Sequence, residues 1–165
     1  DVWDWQMDGL CRGEDSAVFF HPDGERGRAR AQREMRAKQI QLELKLPAAL
    51  HAPVRQTEIQ QVILNLVNNA IDSLSGLNMP EKIIRISTRD LDGHVEVCIS
   101  DNGEGVAQQL IPSLFELMKS NKSAGMGLGL WLSKHIIERH QGKITYQTSH
   151  AGGAEFVIRM PLQLI

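Results

Sequence analysis

"SNKSAGMGLGLWLSKHI" (residues 120–136) places Gly125, Gly127 and Gly129 at strict alternation just ahead of an apolar, helix-like stretch. Glycine loses more backbone entropy on ordering than any other residue, and a helix start ordinarily takes a capping side chain. Three glycines there fit a backbone that must come close to something anionic. Free N–H groups at a helix start, with the positive end of the helix dipole, make an anion site. Lys122, just upstream, adds a point charge for a terminal phosphate. A lone glycine run also fits a plain flexible loop, so its meaning depends on the segments around it.

Upstream, "TEIQQVILNLVNNAIDSLS" (57–75) reads as a helix, with Thr57 as N-cap and Gln60 completing a capping box. At about 100° per residue, Ile59, Val62, Ile63, Leu66, Ala70 and Leu74 form an apolar stripe. Gln61, Asn65, Asn69 and Asp72 fall on the other side. Asn is a poorer helix former than Lys or Glu, which a solvated face usually carries. An amide oxygen is a suitable neutral ligand for Mg²⁺, so the face is either Asn-rich surface or a metal site. "DNGEGV" (101–106) ends a strand and alone makes a tight turn. Beside the other two segments it reads further. A carboxylate at a strand end can accept from an exocyclic amine, and the glycines allow a flat base to approach.

The rest of the chain supplies a frame. "QLELKL" (41–46), "KIIRIST", "HVEVCIS", "KITYQT" and "AEFVIRMPL" read as strands. Asp92-Gly93 forms one hairpin turn, and Gly152-Gly153 joins the last two strands. Residues 107–117 and 130–140 read as helices, the second closing at Gly142. Adjacent hairpins with intervening helices predict an α/β sandwich, not a doubly wound parallel sheet. There is no internal repeat.

Composition bounds the function. At 42% apolar and 23% charged residues, the chain supports a packed core and excludes wholesale disorder. A net charge of −2 gives no global case for nucleic acid or an acidic membrane surface. No apolar run approaches the roughly 20 residues of a membrane span. Cys11 and Cys98 are too few and too far apart for a disulfide framework. The chain reads as cytoplasmic, or as the cytoplasmic part of a membrane sensor.

Residues 41–165 resemble the ATP-binding catalytic domain of sensor histidine kinases, in the wider group that also holds DNA gyrase, Hsp90 and MutL. "QVILNLVNNAID" resembles the N box, "DNGEGV" the G1 box, and "LFELMKSNKSAGMGLGL" the F box running into the G2 box. The resemblance implies the Bergerat fold, a two-layer α/β sandwich of a mixed sheet with helices on one face, with ATP and Mg²⁺ as cofactors under a mobile lid. It implies Asn65 on Mg²⁺, Asn69 near metal or phosphate, Asp101 on the adenine amine, and Gly103 and Gly105 against the base. Phe115 falls on the F-box phenylalanine, Lys122 faces the γ-phosphate, and Gly125, Gly127 and Gly129 wrap the phosphates. Asn65 and Lys122 are the residues implied to carry transfer. Asp72 departs from the Lys or Arg of many kinases, and its role stays open.

Gyrase-like members place a water-activating glutamate one turn before the metal-binding Asn. Gln61 stands there, and an amide cannot be a general base. The site is therefore expected to hold ATP without rapid hydrolysis and to transfer phosphate to a protein acceptor. Gln61→Glu is expected to be tolerated structurally.

Residues 1–40 are different. They contain Trp3, Trp5, Phe19 and Phe20 and end in "GERGRARAQREMRAKQI", a helix-compatible stretch whose arginines spread round the wheel without a continuous apolar face. "WQMDGLCRGEDSAVFFHPDGERGRARAQREMRAKQI" resembles the opening of WhiB-like iron–sulfur regulators, a family with a four-cysteine [4Fe–4S] cluster that contacts a sigma factor. Cys11 matches the first ligand and the others are missing, so no cluster is expected. Two resemblances meeting near residue 40 indicate a fusion, in which residues 1–40 are expected to lack core partners. A sigma factor is the partner this segment implies.

No segment resembles a phosphoacceptor hairpin. His21 lies beside a proline, and His135 and His140 lie on the last helix as surface or packing residues. Cys98, on an apolar strand, reads as a core residue. The leading function is the ATP-binding half of a histidine kinase, which requires a phosphoacceptor and dimerisation domain and then a response regulator. The alternatives are an anti-sigma-type serine kinase and a non-catalytic sigma-binding or redox module.

Overall fold

The computed structural model describes residues 24–45, 54–117 and 126–161. Among the described residues three α-helices and five strands follow one another: α1 (Gly24–Ala37), β1 (Ile40–Lys45), α2 (Gln56–Ser75), β2 (Lys82–Leu91), β3 (His94–Asp101), α3 (Met126–Arg139), β4 (Lys143–Thr148) and β5 (Ala154–Pro161). The sheet order is β1-β2-β3-β5-β4. The β1–β2 pair is parallel and the other three are antiparallel, so the sheet is mixed, as the family resemblance implies.

Period-two alternation decides which residues face the helices. Ile84 and Ile86 of β2, Val95, Val97 and Ile99 of β3, and Phe156, Ile158 and Met160 of β5 form one buried face. Ile59, Val62, Leu66, Val67, Ile71 and Leu74 of α2 and Leu130 and Ile137 of α3 cover that face in a single apolar cluster. The architecture is the expected two-layer sandwich. Asp92 (φ 50°) and Gly93 (φ 79°) both take left-handed backbone, the geometry of the hairpin turn read from the sequence.

Several expectations are corrected. The α2 helix begins at Gln56, and its N-cap is Arg55, with no side-chain cap bond, so Thr57 is not the cap. His140 supplies a substitute: its Nε2 accepts the Arg55 N–H at 3.0 Å, while Nδ1 meets the Ile136 carbonyl at 2.7 Å. That packing role matches the reading of His140 as structural. Residues 107–117 hold only a 3₁₀ helix, Gln108–Ser113. Pro112 lies inside it, and a proline there has no N–H to return to residue 108. At the end of α3 the left-handed residue is Gln141 (φ 59°), not Gly142. Gly142 is required instead for close approach, because a Cβ there would lie 2.5 Å from the Arg159 carbonyl oxygen.

Cys98 is not a core residue. It shares the open sheet face with Glu96, and its Sγ lies 3.7 Å from Glu96 Oε1. Burial, and then the Glu96 charge, push its thiol up to about 11, so it is not a reactive thiolate. Glu96 is itself almost wholly covered, held between Arg89 Nη2 at 2.5 Å and Arg159 Nε at 2.7 Å.

The front segment also departs from expectation within its described part. Ala31 and Met35 of α1 are completely buried in the same cluster as α2. With Gly27 they form an i, i+4, i+8 stripe. A Cβ at Gly27 would lie 2.9 Å from the Leu64 Cδ1, so α1 lies directly against α2. The stripe is invisible to a search for large apolar residues, since two of its three members are Gly and Ala. Residues 24–37 therefore have core partners. Trp3, Trp5, Cys11, Phe19, Phe20 and His21 lie outside the described residues.

Candidate nucleotide-binding site

The site is built along α2. Its Asn-bearing face looks toward the first turn of α3, and its C-terminal end lies beneath the 101–106 loop. Asn65 to Ser73 spans eight residues, about 12 Å at 1.5 Å per residue. That length suits an elongated ligand with a base at one end and charge at the other.

At the charged end, Asn65 Oδ1 accepts a hydrogen bond from Gln61 Nε2 at 3.1 Å. Asn65 Nδ2 makes long contacts to the Gly129 carbonyl oxygen (3.5 Å) and to the hydroxyl of the buried Ser133 (3.4 Å). The structure thus brings Gly129 of the glycine segment onto the asparagine face. The helix starts at Met126, earlier than the expected residue 130, so Gly127 and Gly129 belong to its first turn. Lys122 and Gly125 lie outside the described residues. Asn69 is half-buried, and its Nδ2 is a buried donor with no partner among the described residues. Leaving such a donor unmet costs about 1–3 kcal/mol, which an acceptor-rich ligand removes. Asp72 is exposed.

At the other end, Asp101 closes β3 and is only 5% exposed. Its Oδ1 accepts from the Gly103 N–H at 2.8 Å and from the Ala154 N–H at 3.4 Å. Both bonds fall on one oxygen, which leaves Oδ2 for an incoming donor. Burial raises the Asp101 carboxyl above the ordinary aspartate range, and the two backbone N–H groups pull it partly back. Gly103 packs tightly: a Cβ there would lie 2.8 Å from Ser73 Oγ and 2.9 Å from Asp101 Oδ1. Gly105 holds a left-handed backbone at φ 75°. Asn102 turns the other way. Its Oδ1 accepts from Ile83 N–H and its Nδ2 donates to the Glu81 carbonyl, tying the loop to β2. Phe115 packs edge-on against Phe156, with ring centroids 6.1 Å apart.

Three contributors were missed in the sequence. Ser149 donates to the Asp101 carbonyl at 2.9 Å, Tyr146 accepts the Val106 N–H at 3.1 Å, and Gly153 packs on Asp101. A glycine pair in the β4–β5 turn is the only local signal of them. The donor set fits an adenine nucleotide with a hard cation. It offers a carboxylate oxygen at one end, and an amide oxygen and an orphaned amide donor at the other. Among the described residues no cluster of three His, Cys, Asp or Glu side chains offers a rival metal site.

Asp101 yields a stability prediction with a defined sign. Its folded pKa is raised, so its stabilising contribution is full below the unfolded pKa and is lost as pH rises through the folded one. Above the unfolded pKa the buried carboxyl therefore costs stability. Asp101→Asn keeps Oδ1 for both N–H groups and removes the charge. Its urea midpoint at pH 7 should equal or exceed that of the wild type, while ATP binds about 10- to 100-fold more weakly, the worth of a charged hydrogen bond. A lower midpoint together with unchanged affinity would contradict both halves.

Comparison with known proteins places this arrangement. Residues 54–164 match the family described as histidine kinase-, DNA gyrase B- and HSP90-like ATPase, and the chain belongs to that family. The sensor protein FixL of Bradyrhizobium diazoefficiens is 35% identical over 127 residues, 76% of this chain and 25% of that protein. The catalytic domain of histidine kinase ThkA superposes with a TM-score of 0.70 at 26% identity, covering 84% of this chain and 90% of that one. The WhiB3 redox-responsive transcriptional regulator of Mycolicibacterium smegmatis is 82% identical over 40 residues, 24% of this chain and 42% of that protein. The chain spans less than half the length of these two full-length relatives. Its ATP-binding part is a histidine kinase-type catalytic domain, and no helix among the described residues is long and apolar enough to cross a membrane.

Proposed function

We propose that this chain binds Mg·ATP and donates the γ-phosphoryl group to a histidine on a separate dimerisation domain, from which a response regulator takes it. The observation that carries the reading is the pairing of an unmet amide donor at Asn69 on α2 with a carboxylate oxygen left over at Asp101, whose loop packs on Ser73 of the same helix. Asp101 accepts the adenine amine, and Gly103 and Gly105 lie against the base. Asn65 presents its oxygen to Mg²⁺, and Asn69 donates toward phosphate. Gly125, Gly127 and Gly129 surround the phosphates, and Lys122 faces the terminal one. When bound, ATP supplies the phosphoryl group and Mg²⁺ neutralises its developing charge. The protein's part is positioning and electrostatics, since no carboxylate stands at residue 61 to activate water.

Gln61 has a second role in this reading. Its amide donates to Asn65 Oδ1 and so fixes which end of the Asn65 amide faces the metal. Gln61 is exposed, so Gln61→Glu should fold normally. It sets an acceptor against an acceptor, however, and Asn65 escapes by turning its NH₂ outward. Mg²⁺-dependent ATP affinity should then fall about 3- to 10-fold, the range of one hydrogen bond. Titration with and without Mg²⁺ checks this.

The function is tested by calorimetric titration of Mg·ATP into the whole chain, with Asn65→Ala as control. Incubation with a phosphoacceptor domain and [γ-³²P]ATP follows. Metal-dependent binding lost in the variant, with acid-labile label on the acceptor, is expected. Acid-stable label on serine would instead favour a serine kinase, and no binding at all would sink the reading. The sigma-factor reading for residues 1–40 rests on the WhiB-like match. Residues 24–37 turn Ala31 and Met35 toward α2, which leaves that face unavailable to another protein.

A further inference from the structure

The 101–106 loop is short, contains two glycines, and must hold a carboxylate at a fixed angle. Its backbone is anchored at each end by a hydroxyl from the same neighbouring hairpin. At the start, Ser149 Oγ donates to the Asp101 carbonyl at 2.9 Å and accepts the Gly153 N–H at 3.1 Å. Ser149 is buried, so its hydroxyl joins these two backbone groups away from water. At the far end, Tyr146 Oη accepts the Val106 N–H at 3.1 Å and lies 3.4 Å from where a Gly105 Cβ would be. The Tyr146 ring is fixed in turn against Phe156, at 5.6 Å between centroids, and Phe156 meets Phe115. The two hydroxyls come from residues only three apart in sequence, one on β4 and one in the turn that follows it.

We propose that Tyr146 and Ser149 are positioning residues that clamp both ends of the 101–106 loop and thereby set the selectivity of Asp101 for an adenine base. The inference rests on the adenine reading of Asp101. A carboxylate held at one angle distinguishes an exocyclic amine from a carbonyl at the same ring position. A carboxylate on a loosened loop rotates and water enters, so the distinction fades. Neither residue touches the ligand in this account. Each acts through the loop backbone.

The test compares ATP with ITP, whose base carries a carbonyl where adenine carries the amine, using the full chain and calorimetry well below the melting temperature. Tyr146→Phe keeps the ring packing and removes one hydroxyl. Ser149→Ala removes the other, and Ser149→Thr retains it. Tyr146→Phe and Ser149→Ala should each weaken Mg·ATP binding about 3- to 10-fold, the range for one hydrogen bond. The ATP-over-ITP affinity ratio should fall toward one in both, while Ser149→Thr keeps it. Amide hydrogen exchange at Val106 should accelerate in Tyr146→Phe. A residue that served stability alone would lower the melting temperature and leave the ratio intact, and that outcome overturns the proposal. If the wild type binds ATP and ITP equally, the adenine reading of Asp101 falls, and the clamp falls with it. If the wild type discriminates and the variants match it, the clamp alone is wrong.

Discussion

Gly153→Ala is expected to abolish adenine-nucleotide binding and to destabilise the domain on the order of 3 kcal/mol, the cost of forcing extra volume into a filled site. A Cβ at this position would clash with the backbone carbonyl oxygen of Asp101 and lie 2.5 Å from its Oδ1. Both contacts involve groups that cannot swing aside. The carbonyl already accepts from Ser149, and Oδ1 already accepts from Gly103 and Ala154. Either β5 moves off β3 at this end, or Asp101 leaves its position under the base. Gly152→Ala is the control. Its backbone is left-handed at φ 91°, but a Cβ there meets nothing within 4 Å. That substitution should cost about 1–2 kcal/mol in backbone strain and leave nucleotide affinity unchanged. Melting curves and calorimetry on the pair separate packing from strain. If Gly153→Ala bound ATP as the wild type does, the β4–β5 turn would not be seated on Asp101.

Met35→Ala should lower stability by about 2–5 kcal/mol, the range for truncating a large core side chain. Met35 is 0% exposed and lies in the same cluster as Leu66 and Ile71. Arg33, on the exposed side of the same helix, is the control, and Arg33→Ala should stay within about 0.5 kcal/mol. Urea unfolding with an unchanged slope is the measurement, since a changed slope would signal a second transition. A fragment beginning at residue 41 lacks Ala31 and Met35 and leaves part of α2 uncovered, so it should bind ATP less well than the whole chain. Equal stability of Met35→Ala and wild type would make residues 24–37 a bystander.

The site itself was legible to an unequal degree. Asn65, Asn69, Asp101, Gly103 and Gly105 stand out in the sequence because each motif that carries them is local, and the structure sets those motifs along α2 and in the loop packed on Ser73 near its end. The helix carrying the asparagines and the loop carrying the aspartate are each continuous in sequence. Ser149 and Tyr146 could not be found that way. Each meets its partner across 40 or more residues, and a serine in a turn or a tyrosine in a strand has an ordinary local explanation. Cys98 was misread for a different reason. Neighbouring strand residues point to opposite faces, and Cys98 shares its parity with His94, Glu96 and Ser100 rather than with the buried Val95, Val97 and Ile99, so the alternation itself places it off the core face.

By itself the sequence determined the order of the five strands, the helix carrying the asparagines and the Asp92-Gly93 hairpin. These rest on periodicity and turn backbone, which act over a few residues. Only the tertiary structure decided that Gly27, Ala31 and Met35 seat the front helix on α2, that His140 completes the start of that helix, and that Gly153 with two hydroxyls fixes Asp101. Those outcomes depend on which surfaces approach closely enough to exclude a single carbon atom, and close approach is set by packing between segments far apart in the chain.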